Sequence, residues 1–116
     1  SYLYEGLMRL LGRWHQPLSE QDCHQLFAEG ATLVDVRGPD EFAGDGVEGA
    51  VNVPLDDIEH HADALRERAP LLLYCRSGMR SQIAAQKLRA KGIDNAHDLG
   101  AQARALRVVE NAKPQP

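Results

Sequence analysis

Three short apolar runs, each bounded by glycine or proline, constrain the fold of this chain more than any other feature. They occupy residues 32–36, 50–53 and 71–74. Such near-continuous apolar runs are typical of buried strands, because a strand in a parallel sheet is covered on both faces. Helical patterns separate the runs. This order predicts an α/β domain with a mainly parallel sheet and helices on both faces.

Four helical segments are predicted around these strands. The first begins at Ser19, a hydroxyl cap followed by acidic residues, and ends near Gly30. The others cover residues 58–69, 81–91 and 102–109, with a weaker strand at residues 96–99.

The chain length suits one compact domain. At 116 residues it is too short for two cores of ordinary size. Residues 1–16 are predicted to form an amphipathic helical extension, residues 17–110 the domain, and residues 111–116 a polar tail. Glu5, Arg9 and Arg13 interrupt the extension, so we expect no membrane span in it.

The charge pattern narrows the choice of partner. There are 13 Lys and Arg against 17 Asp and Glu, and the two signs are interspersed. Nucleic-acid-binding proteins usually carry a basic face or stripe, so we expect no nucleic acid partner. Small molecules or other proteins are the expected partners.

The two cysteines, Cys23 and Cys75, are too few for a zinc site built on thiolates. The five histidines also lack a metal-ligand spacing, so we expect neither a metal nor a cofactor. Reduced cysteines and the absence of a signal-peptide pattern favour the cytoplasm. A periplasmic protein that has lost its signal peptide is the alternative.

Cys75 is the candidate nucleophile because it stands where an apolar strand runs into a helix. Ligands in open α/β sheets collect at such strand ends, where backbone N–H groups favour an anion. Arg76 and Arg80 would also favour the thiolate and could bind an anionic sulfur donor. The expected active-site loop consists of Arg76, Ser77, Gly78, Met79 and Arg80.

Three segments of the chain together resemble the rhodanese-like domain family. They are Asp35-Val-Arg37 with Glu41-Phe42, then residues 49–54, then residues 74–81. The resemblance implies a central five-stranded, mainly parallel sheet and a single-domain thiosulfate sulfurtransferase. It also implies that Asp35, Arg37 and Glu41 support the loop, with an ion pair between Arg37 and Glu41.

The chemistry implied by the resemblance has two steps. The Cys75 thiolate would take the outer sulfur of thiosulfate, release sulfite and become a persulfide. Cyanide or a small-molecule or protein thiol would then accept that sulfur. Residues 76–80 would form the cradle for the thiolate and the persulfide.

Two alternatives remain open at this point. The first is a non-catalytic interaction module or a sulfur carrier with a dedicated protein acceptor. The second is a cysteine phosphatase or arsenate reductase, which usually has five residues between its cysteine and the phosphate-binding arginine. Cys75 and Arg80 are separated by only four residues, a loop better suited to sulfur than to phosphate.

Overall fold

A computed structural model describes residues 18–112 of the protein. The predicted extension, residues 1–16, therefore lies outside the described residues. Within residues 18–112, no helix is long and apolar enough to cross a membrane.

Strands and helices alternate along the described chain. The helices are α1 (Glu20–Ala28), α2 (Pro39–Asp45), α3 (Ala62–Arg66), α4 (Met79–Ala90) and α5 (Gln102–Ala112). The strands are β1 (Thr32–Asp35), β2 (Val51–Asn52), β3 (Leu71–Cys75) and β4 (Ala96–Ala101), and a 3-10 turn covers Leu55–Asp57.

The strands form one sheet in the order β2-β1-β3-β4, and every pairing is parallel. The predicted α/β class and parallel sheet are therefore confirmed. The described part of the chain contributes four strands, whereas the resemblance implied five. Because all strands are parallel, their carboxyl ends meet at one edge, and Asp35 and Tyr74 pair directly there.

Two apolar clusters cover the two faces of the sheet. Leu71, Leu73 and Cys75 belong to one cluster, which also contains buried residues of α3 and α4. Leu72 and Tyr74 belong to the other, with buried residues of α1 and α5. Successive side chains of a strand point to opposite faces, so β3 contributes to both clusters and is buried at every residue.

Two predicted boundaries need correction, and one helix was missed. Residues 58–69 do not form one helix, because i to i−3 hydrogen bonds such as Ile58 N to Leu55 O (3.2 Å) form 3-10 turns before α3. The predicted tail at residues 111–116 begins inside α5, which continues to Ala112 since residues 110–112 include no Gly or Pro. Helix α2 was not predicted, although Pro39 at its first turn is a favourable helix start.

Candidate active site

Cys75 is the last residue of β3 and lies at the carboxyl edge of the sheet. Its residue surface is only 1% exposed. The strand is buried along its whole length, so the position of the sulfur is set by the packing of the core.

The loop directs hydrogen-bond donors at this sulfur. The backbone N–H of Gly78 donates to Sγ at 3.0 Å, and that of Ser81 donates at 3.4 Å. The Ser81 hydroxyl oxygen lies 3.6 Å from Sγ and accepts from the thiol in its protonated form. Gly78 has φ +102°, a left-handed conformation that turns the chain back over the cysteine and that favours glycine.

The sulfur also serves as the N-terminal cap of α4. The residue in the cap position, Gly78, has no side chain with which to satisfy the first free N–H groups of the helix. Ser81 is the third residue of α4. A cap side chain usually accepts a hydrogen bond from the backbone N–H at this position. Cys75 Sγ fills that role. An anion is favoured at this position, because the helix dipole is positive at its N-terminus.

These contacts lower the pKa of the Cys75 thiol below its ordinary value. Burial raises the pKa, but hydrogen bonds from Ser81, Gly78 and the Arg80 backbone outweigh it. A lower pKa means more thiolate at neutral pH, and the thiolate is the nucleophilic form of cysteine. The site therefore holds an activated thiol without a general base in contact with it among the described residues.

The two loop arginines are arranged differently from the expectation. Arg80 makes a two-pronged ion pair with Glu41, with Nη1 to Oε1 at 2.7 Å and Nη2 to Oε2 at 3.0 Å. Arg76 is 60% exposed, and its Nε lies 3.7 Å from Glu41 Oε2. Backbone and hydroxyl hydrogen bonds, rather than these guanidinium groups, are the main groups that lower the pKa of Cys75.

Glu41 connects the start of α2 to the active-site loop. Besides binding Arg80, its Oε1 accepts the N–H of Gly38 at 3.1 Å. Hydrogen bonds from Arg80 and then from Gly38 lower the pKa of Glu41 to about 2. The carboxylate is therefore charged throughout the physiological pH range.

The predicted ion pair between Arg37 and Glu41 is wrong. Arg37 turns into the protein and binds Asp35, with Nη2 to Oδ2 at 2.8 Å, and both side chains are fully buried. Its Nη1 reaches Asp45 at 2.8 Å, whereas its contact with Glu41 is to the backbone oxygen at 3.4 Å. The reason is geometric: the Arg37 side chain points inward to buried Asp35, whereas the Glu41 carboxylate points to Arg76 and Arg80 of the loop.

Arg37 contacts several elements at the carboxyl edge of the sheet. Its Nη1 donates to Gln102 at the start of α5 at 3.1 Å, and its guanidinium lies 5.9 Å from the ring centre of Tyr74. The Tyr74 hydroxyl in turn accepts the N–H of Val47 at 2.9 Å. This network links β1, α2, β3 and α5, and it includes Tyr74, the residue before Cys75. Its contacts do not include the sulfur.

The structure brings all the predicted site residues to one edge of the sheet. Of the loop side chains, Ser77 and Met79 are exposed, as is Arg76, and Arg80 is partly buried. Sequence reasoning missed Ser81 as a partner of the sulfur. Counting three residues into the helix after Gly78 could have identified its free N–H, but the hydroxyl contact depends on the tertiary structure.

Cys23 lies apart from this site. It is fully buried on α1, in the cluster on the face of the sheet opposite to that of Cys75. Burial raises the pKa of its thiol. Cys23 is therefore not placed to react with Cys75, and its role is to pack α1. No cluster of metal-ligating side chains is found within residues 18–112.

Comparison with known proteins agrees with this geometry. The model of the rhodanese-like domain family matches residues 19–101. The uncharacterized protein YqhL of Bacillus subtilis (strain 168) is 41% identical over 99 residues, which are 85% of this chain and 73% of that protein. The thiosulfate sulfurtransferase GlpE of Ectopseudomonas mendocina (strain ymp) is 35% identical over 85 residues, or 71% of this chain and 75% of GlpE.

A solved structure gives the same result for the fold. The human single-domain sulfurtransferase TSTD1 superposes with a TM-score of 0.65 at 26% identity. The match covers 78% of this chain and 95% of the human one. The described fold therefore spans nearly the whole of that single-domain protein.

Proposed function

Because the chain belongs to the rhodanese-like domain family, we propose that it is a sulfurtransferase that carries sulfane sulfur as a persulfide on Cys75. The observation that supports this most directly is the set of hydrogen-bonding groups around Sγ. Two backbone N–H groups and a hydroxyl lie within 3.6 Å of a buried sulfur whose pKa is lowered. Such a site stabilises a sulfur anion.

In the first half-reaction, the Cys75 thiolate attacks the outer sulfur of thiosulfate or of a related donor. A new S–S bond forms at Cys75, and the bond between the outer sulfur and the rest of the donor breaks. With thiosulfate the leaving group is sulfite, which carries away the bonding electron pair. The N–H groups of Gly78 and Ser81, which hold the thiolate, are positioned to stabilise the persulfide that replaces it.

In the second half-reaction, a nucleophilic acceptor takes the outer sulfur and the Cys75 thiolate leaves. The acceptor is cyanide or a small-molecule or protein thiol. The same hydrogen bonds favour this step, because a thiolate with a lowered pKa is a better leaving group. No external oxidant or reductant is needed in either direction. The thiol must be free between turnovers, so a reducing compartment such as the cytoplasm suits the protein.

The names of two relatives support the same chemistry. GlpE is a thiosulfate sulfurtransferase, and the human protein is a single-domain sulfurtransferase. Loop length supports it over phosphatase chemistry, because only four residues separate Cys75 from Arg80. In addition, Arg80 already binds the carboxylate of Glu41.

The test is an intact-mass measurement of the reduced protein before and after thiosulfate, and then after cyanide. We expect a gain of one sulfur atom that cyanide removes. Cys75→Ser should show no gain, and the matched variant Cys23→Ser should gain sulfur as the parent does. The proposal is wrong if the protein gains sulfur from neither thiosulfate nor a persulfide. It is also wrong if the added sulfur resides on Cys23. Hydrolysis of a phosphatase substrate by the unloaded protein would then favour the rival class.

A further inference from the structure

The charged side chains of the active-site loop are partly neutralised by Glu41. Arg76 and Arg80 contribute two positive charges, and Glu41 lies between them with one negative charge. The Arg80 guanidinium is held by two short hydrogen bonds to this carboxylate, so it does not present its fork to an incoming anion. The exposed part of the loop therefore offers a surplus of about one positive charge, carried mainly by Arg76.

The other cations near the site lie beside carboxyl groups: Arg37 is paired within the domain, and Arg89 and Arg104 lie close enough to Asp98 to lower its pKa, although burial raises it overall. Arg37 is matched by the carboxylates of Asp35 and Asp45. Behind Ser81, Asp98 places another carboxyl group, whose Oδ1 accepts the N–H of Gly100 at 3.0 Å. In the loop itself, Arg76 is the one cation not held by a short ion pair, and the backbone N–H groups of Gly78 and Ser81 are already directed at the thiolate.

The choice of donor changes the charge that the site must hold. Thiosulfate is a dianion, so its reaction with a thiolate gathers three negative charges in the pocket. A persulfide, R–S–SH, is uncharged at its sulfur group in the protonated, electrophilic form. Its reaction therefore gathers only one. Charges that are brought together in a poorly solvated site repel strongly unless they are compensated.

We propose that Glu41 determines donor specificity by neutralising Arg80, so that the site prefers an organic persulfide of low charge over thiosulfate. This inference rests on the proposed sulfurtransferase function. The Cys75 thiolate attacks the terminal sulfur of R–S–SH, the R–S to S bond breaks, and RS⁻ leaves with the electron pair. The products are Cys75–S–SH and RS⁻, and the total charge stays at one throughout. Glu41 acts through Arg80 and is a positioning residue.

The test compares kcat/KM for two donors, thiosulfate and the persulfide of the uncharged thiol N-acetylcysteamine, with the same acceptor. We expect the parent protein to favour the persulfide. Glu41→Gln keeps an oxygen for the N–H of Gly38 but removes the charge that occupies Arg80. It should shift the donor ratio toward thiosulfate by about fivefold to tenfold. Asp40→Asn, which removes a charge from an exposed neighbour on α2, should leave the ratio within about twofold.

A second pair of variants covers the case in which Glu41→Gln folds poorly. Met79 belongs to the loop, but its side chain is 71% exposed, so Met79→Lys adds a cation without disturbing Glu41. Met79→Gln is its uncharged control. Only the lysine variant should gain thiosulfate use. The inference is overturned if the parent protein has the same kcat/KM for thiosulfate as for the persulfide. It is also overturned if the ratio of the two kcat/KM values is unchanged in both Met79→Lys and Glu41→Gln. The proposed function fails separately, if neither donor loads sulfur on Cys75.

Discussion

Ser81 contacts the sulfur of Cys75 through two different groups. Its backbone nitrogen lies 3.4 Å from Sγ and its hydroxyl oxygen lies 3.6 Å away. The hydroxyl is also within reach of the carbonyl oxygens of Gly78 (3.1 Å) and Gly100 (3.4 Å). When Cys75 is ionised, the hydroxyl proton can turn from these oxygens to the thiolate. The first helical turn of α4 and the end of β4 are thereby joined at the nucleophile.

Replacing Ser81 with Ala should raise the pKa of Cys75, because one donor to the thiolate is lost while the backbone N–H remains. A hydrogen bond to a charged group contributes about 1.5–3 kcal/mol, so we expect the rate of sulfur loading at pH 7 to fall by roughly tenfold or more. The measurement is the rate of loading from either donor. Ser77→Ala, a change at an exposed serine of the same loop, is the control. Equal rates in both variants would contradict a role for the Ser81 hydroxyl.

The reactivity of Cys75 should reach its plateau at a lower pH than that of an ordinary thiol, whose pKa is about 8.5. Its pKa is lowered, despite burial, by hydrogen bonds from Ser81, Gly78 and Arg80. Alkylation by iodoacetamide, followed against pH and located by peptide mass, would give the midpoint. In Cys75→Ser the only remaining thiol, Cys23, should react slowly because it is buried and its pKa is raised. A midpoint of Cys75 at or above the ordinary value would show that the cradle does not form in solution.

The same pKa shift links stability to pH. Between the lowered pKa of the folded protein and the higher pKa of the unfolded chain, the unfolded state binds more protons at Cys75. Stability from this group therefore rises with pH across that window, and it is lost as the pH falls through the folded pKa. Urea unfolding at several pH values should show this rise in the parent relative to Cys75→Ser. A difference between the two that does not change with pH would contradict it.

Gly78→Ala should impair sulfur transfer more than it impairs folding. The residue has φ +102°, and an added Cβ would make only ordinary contact, 3.5 Å from Gly100 Cα, so the strain is in the backbone. Left-handed conformation costs a non-glycine residue roughly 1–2 kcal/mol, and relief of that strain would move the N–H away from Sγ. Gly92→Ala imposes a similar strain at φ +88°, at the other end of α4.

The measurements are the free energy of unfolding and the rate of sulfur loading for each of the two variants. Both should lose similar stability, but only Gly78→Ala should lose most of its activity. Full activity of Gly78→Ala would mean that the turn is not needed to hold the thiolate.

Arg37→Met should destabilise the fold by about 3–5 kcal/mol, because it leaves Asp35 as a buried charge without its partner. Asp35→Asn combined with Arg37→Met should recover part of that loss, since the double variant leaves no buried charge at the pair. Arg66→Met removes an exposed pair with Asp63 and should cost less than about 1 kcal/mol. Urea denaturation measures all three. If Arg37→Met lowers the free energy of unfolding no more than Arg66→Met does, the buried pair contributes little to stability.

Much of the framework could be predicted from local patterns. Burial on both faces makes the central strands apolar, and this placed β1 and β3 within one residue of their observed ends. A cap and an acidic first turn located the start of α1, where Ser19 and Asp22 bond reciprocally. The position of Cys75 between an apolar strand and a helix was sufficient to select it as the candidate nucleophile. Short-range periodicity could not show that a 3-10 turn at Leu55–Asp57 and further turns at residues 58–61 would precede α3.

The sequence by itself determined the family, the parallel α/β order and the position of Cys75, because these depend on short local patterns and on their order along the chain. Only the tertiary structure decided how the charges pair. Arg37 and Arg80 are both arginines near Glu41, but one turns inward to Asp35 and the other binds the carboxylate across 39 positions of the chain. That choice depends on which way each side chain leaves its strand or helix and on which groups the sheet brings to the same edge. Pairing between distant segments is therefore a property of the packed domain, and it decides which charges remain to meet the sulfur donor.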